Sequence, residues 1–88
     1  MVNEDLMVLA LRVLGHVAGD GDMGPRLLAL TGLDADGLRA RASDPALLGA
    51  VIAFLMAREA DLITTAAALE VPPSAIVRAG QSLGEDEI

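Results

Sequence analysis

The chain has no cysteine, no tryptophan, no tyrosine and no lysine, and Phe54 is its single aromatic residue. Without cysteine there are no disulfides, thiolate zinc sites or thiol nucleophiles, and a reducing compartment suits it. The apolar fraction is 53%, made largely of Leu and Ala, which is the vocabulary of helix packing rather than of sheets. Positive charge is also scarce: six arginines stand against 13 acids, for a net charge of −7. Such a surface repels phosphate backbones and anionic lipid, which disfavours nucleic acid and membrane as partners. Basic or apolar protein surfaces fit it better.

Long hydrophobic runs are missing as well. The longest, Ala46 to Ala57, spans twelve residues and is closed off by Arg58, Glu59 and Asp61, whereas a bilayer-crossing helix needs about 18 to 20. No membrane span is expected. Glu4 and Asp5 stand where a secretory signal would be basic, and no small-residue cleavage site follows. The N-terminus therefore reads as mature protein, and the cytoplasm is the expected location. Eighty-eight residues suit one domain with a modest core: a helical unit over residues 1–84, then a frayed acidic tail at 85–88.

What the chain does carry is helix punctuation. Asn3 is a suitable N-cap, and Leu6, Ala10, Val13, Leu14 and Val17 recur at helical spacing, predicting a first helix from Glu4 to about Val17. Gly19 to Gly24 reads as a loop, after which Pro25 opens a second helix that stops at Gly32. Asp34 caps a third over Ala35 to Ala42, with Leu38 facing inward. Ser43-Asp44-Pro45 starts a fourth, reaching about Arg58. Apolar on nearly every side, this helix is expected to be surrounded by other helices or by a second subunit. Glu59 and Asp61 suit the first turn of a fifth helix ending near Glu70, unless the fourth continues through a kink. Pro72-Pro73 forces a break, and Pro73 to Leu83 forms the last helix, with Ile76, Ala79, Gly80 and Leu83 on one stripe. The expected fold is all-α, a compact orthogonal bundle of five or six short helices.

Two corners share a pattern: Leu33 to Leu38 and Val71 to Ile76 each place an apolar residue before the turn and another five residues on. Such a pair clamps two short helices together as a hydrophobic staple. The second corner also has helix-turn-helix spacing, with Ala66, Leu69, Val71 and Ile76 as packing positions and Ser74, Arg78 and Gln81 turned outward as DNA contacts. Charge argues against a duplex. From Asp61 to the end there is one Arg against five acids, and DNA affinity comes chiefly from neutralised phosphates. The corner is better explained as packing geometry.

No catalytic or metal constellation emerges. Asp20-Gly21-Asp22 begins like a calcium loop, but Gly24, Pro25 and Thr31 occupy later positions where oxygen ligands, Gly and Glu belong. His16 is the lone imidazole, and no sequence feature brings it a nucleophile or carboxylate. Thr64, Thr65 and Ser43 have ordinary structural explanations. Acyl carrier proteins, also small, acidic and helical, carry Asp-Ser-Leu at the modified serine, and Ser43-Asp44-Pro45 reverses that order. No cofactor, metal or enzymatic activity is expected. What remains is a surplus of apolar side chains: Met7, Val8, Leu11, Ile63 and Val77 form the candidate interaction surface, some of them exposed unless a protein partner or a second copy covers them.

The stretch Gly24-Pro25-Arg26-Leu27-Leu28-Ala29-Leu30-Thr31-Gly32-Leu33-Asp34, followed by Leu38-Arg39, Ser43-Asp44-Pro45, Phe54-Leu55, Glu59 and Val71-Pro72-Pro73, resembles a family of short alphaproteobacterial proteins built on a domain of unknown function. Leu28 stands where Phe is usual. The resemblance spans nearly the whole chain and implies a bacterial, cytoplasmic, all-helical protein. It brings no activity and no catalytic residues.

Overall fold

Capping side chains divide the chain into helices. The computed structural model describes the backbone of residues 4–86 and the side chains of residues 6–83; the expected cap Asn3 lies outside them. Within that span run six helices and no strand: α1 (Glu4–Gly19), α2 (Met23–Thr31), α3 (Ala35–Ala40), α4 (Pro45–Met56), α5 (Glu59–Leu69) and α6 (Pro73–Asp86).

The expected loop at Gly19 to Gly24 is shorter than its composition implied. Gly19 belongs to α1 and Met23 already to α2, because the Asp20 carboxylate accepts from the amides of Asp22 and Met23 at 2.9 and 2.8 Å. An aspartate turned to capping starts the helix two residues before Pro25. Gly32 ends α2 at φ +72°, its amide donating to the Leu28 carbonyl, as expected for a left-handed glycine stop. Asp34 caps α3 through Gly37 at 2.7 Å. At the start of α4 the capping side chain is Asp44, bonded to the Ala46 amide at 2.9 Å, while Ser43 is exposed. Helices α4 and α5 are separate, since Arg58 takes an extended conformation between them. The last helix does not stop at Gly84 but continues to Asp86.

The core joins one face from each long helix. Val13 and Val17 of α1, Leu27 of α2, Leu48, Val51, Ile52 and Leu55 of α4, and Ile76, Ala79 and Leu83 of α6 are almost wholly removed from solvent. The closest crossing is α4 on α6, where a Cβ on Gly80 would lie 2.7 Å from Ile52 Cγ2. Only a glycine lets the two backbones approach this far. Helix α4 is not enclosed on all sides, however. Ala46, Ala50, Ala53 and Met56 face outward, so the helix meets solvent mostly through alanine, whose small side chain leaves little apolar area to bury. The radius of gyration is 11.7 Å, close to the roughly 12 Å of a compact domain this size.

Arg26 ties three helices together on the polar side of the core. Its guanidinium sits 2.9 Å from Asp61 at the start of α5 and 3.0 Å from Asp22, and stacks 5.3 Å from the Phe54 ring centroid of α4. The acids, Asp61 foremost, raise the Arg26 pKa. Thr65, fully buried, points its hydroxyl at the Met23 sulfur 3.8 Å away, a weak acceptor. Two further arginines pair with acids three residues away, Arg39 with Asp36 and Arg41 with Asp44.

Candidate functional site

An apolar groove of about 430 Å³ opens between α1 and α3, with Leu28 of α2 at its base. Leu11, Leu14, Gly15, Ala18 and Gly19 form one wall, and Ala35, Leu38 and Arg39 form the other. Its depth follows from the glycines. A Cβ added at Gly15 or Gly19 would meet no atom within 4 Å, so both backbones border open space. Glycine in an α-helix costs about 0.5 to 1 kcal/mol relative to alanine, and no internal contact explains that cost here.

Of the five residues expected at an interaction surface, Val8, Leu11 and Ile63 are exposed at 52, 38 and 50%. Val8 and Leu11 share the face of α1 that borders the groove, while Ile63 lies on α5. Met7 packs on the core and Val77 is half-buried, so both contribute more to the bundle than to its surface. Leu30 and Met56 are exposed as well, at 65 and 50%, and neither was anticipated. Both sit near helix ends, where periodicity is least informative. The groove itself was also missed. Its sequence signal was Gly15 and Gly19, four residues apart in a helix otherwise rich in Leu and Val.

The corner before α6 has the expected geometry. Helices α5 and α6 meet at 105° across three residues, within the 90 to 120° of helix-turn-helix units. Leu69 and Val71 are half-buried against the core, while Ala66 and Ile76 are fully buried. The turn is a Schellman motif: Val71 N–H donates to the Ala66 carbonyl and Glu70 N–H to that of Ala67. Glu70 holds the left-handed position at φ +59°, usually given to glycine. From α1, Arg12 donates to the Leu69 carbonyl at 3.0 Å, satisfying a group that the helix end leaves free. Ser74, Arg78 and Gln81 are exposed on α6.

His16 is half-buried, and its Nε2 has no protein hydrogen-bond partner. No group of three or more metal-ligating side chains occurs among the described residues. Asp20 and Asp22, the start of the would-be calcium loop, are engaged in capping and in the ion pair with Arg26. Backbone amides of Met23 and Asp22 hold the Asp20 carboxyl below its ordinary pKa. Among the described residues no single helix is long and apolar enough to cross a membrane.

No curated protein and no solved structure matches the chain. A family model does match, over residues 3–86, its members described as proteins of unknown function. That span contains all six helices, both corners and the groove, and on it the chain belongs to the DUF3572 family.

Proposed function

We propose that this protein is a non-enzymatic interaction module that receives an apolar protein surface at the groove between α1 and α3. One observation carries the reading: apart from Arg39 the groove is lined by apolar residues and glycine, with Leu11 exposed at its wall and Val8 exposed on the same face of α1. Soluble domains seldom leave a continuous apolar hollow and apolar projections side by side unless a partner covers them. The resemblance to short alphaproteobacterial proteins supports a bacterial cytoplasm as its setting.

A photo-crosslinking side chain placed at Ala18 or Ala35 tests the reading in cells. Adducts of discrete mass from both groove positions, absent from the same probe at Ile63 and lost with Gly15→Leu, are the expected result. Random labelling at all positions, or none at the groove, would sink it.

The 105° corner supports a second reading, a degenerate DNA-binding module using Ser74, Arg78 and Gln81. Weighing against it, Arg78 is the only basic residue on α6. Fluorescence anisotropy with duplex DNA at low salt decides: retention weakened by Arg78→Ala favours this reading, and no retention ends it.

A further inference from the structure

The exposed face of α1 is uneven along its length in a self-complementary way. Its first half projects Val8 and Leu11, and its second half recedes at Gly15, Ala18 and Gly19. All five fall on one side of the helix at 100° per residue. Turned end for end, a second copy of α1 brings projections over hollows twice, once on each side of a two-fold axis. That is the requirement for an isologous interface, in which the same patch serves both chains.

Charge selects the same face. The chain carries −7, so two copies repel across most orientations. From Leu6 to Gly19 there is no acid, and Arg12 is the one full charge. Arg12 is held against the Leu69 carbonyl at the negative end of α5, which offsets part of its charge. Antiparallel helices also set their dipoles head to tail. A stable dimer buries about 600 to 800 Å² per partner, roughly an eighth to a sixth of this chain's 5003 Å². An interface along the α1 face, about 24 Å long at 1.5 Å per residue, has to take in the groove wall of α3 as well to reach that area.

Resting on the interaction-module reading above, we infer that the occupant of the groove is a second copy of this chain. The two α1 helices pair antiparallel. Leu11 of each sits opposite Gly15 of the other at the groove mouth, and Val8 lies over Ala18 and Gly19.

The test uses the whole chain, whose lack of cysteine makes introduced thiols unambiguous. Light scattering at about 200 µM is expected to give twice the monomer mass of 9.0 kDa, and Gly15→Leu to return it to the monomer. Because a Cβ at Gly15 would meet no atom within 4 Å, that variant is expected to keep its fold, which circular dichroism checks. An oxidised mixture of Val8→Cys and Ala18→Cys chains should yield the mixed disulfide in large excess over a Val8→Cys and Ile63→Cys mixture. A wild-type monomer at 200 µM overturns the proposal. So does a dimer indifferent to Gly15→Leu or lacking the selective disulfide. If the photo-crosslinks at Ala18 and Ala35 then trap a protein of different mass, the module reading stands and only the second copy is wrong.

Discussion

Glu70 shows what a single residue can cost. A non-glycine side chain at φ +59° carries a penalty of about 1 kcal/mol, so Glu70→Gly should stabilise the protein by about that amount in urea denaturation. Gly32→Ala, at φ +72°, should lose a similar amount by the reverse argument. Asp44 sets a pH response. The Arg41 guanidinium, and after it the Ala46 amide, hold its carboxyl below the ordinary value of 3.8. Its folded pKa is thus lower than its unfolded one, so its stabilisation is complete above the unfolded value and disappears as pH falls through the folded one. Asp44→Asn keeps a capping oxygen without the charge, and its stability curve should fall less steeply between about pH 5 and pH 2 than that of the wild type. A variant with an unchanged acid limb would show that Asp44 is indifferent to folding.

Among elements, the α4 and α6 crossing is the tightest. Gly80→Ala pushes a methyl against Ile52 Cγ2, 2.7 Å away, and should cost about 1 to 3 kcal/mol. Ile52→Leu lacks that branch and should recover much of the loss, giving a positive coupling in a double-mutant cycle. Gly49→Ala on α4 meets no neighbouring atom within 4 Å and should stabilise instead. The sequence made the division into helices largely readable, because Gly32, Asp34, Pro45 and Pro72-Pro73 act within their own turns. It misled at Gly19, Met23 and Gly24, which composition gave to the loop around Asp20-Gly21-Asp22 but which belong to helices, the Asp20 carboxylate being turned to capping α2. On the groove it offered only the spacing of Gly15 and Gly19, which marks a recessed stretch of α1 but not how far α3 stands from it. Local signals reveal where helices begin and end; the space between two helices depends on residues remote from both.

For the whole molecule, charge is the dominant imbalance. Among the described residues Arg26, Arg39 and Arg41 are the arginines in ion pairs, and across the whole sequence the 13 acids outnumber the six arginines by seven. Raising NaCl from about 0.02 to about 0.5 M should therefore raise the melting temperature by screening that repulsion. A fall would mean that the ion pairs outweigh it. The packing of α1 has a further consequence for the chain as it is made. Val13 and Val17 are buried in a bundle where α1 packs on α2, α4, α5 and α6, and at about 5 to 20 residues per second the stretch from Gly19 to Leu83 takes roughly 3 to 13 s to synthesise. For those seconds α1 lacks at least the last of the helices it packs on, α6. The nascent chain, rather than the finished bundle, is the form most exposed to chaperones and proteases.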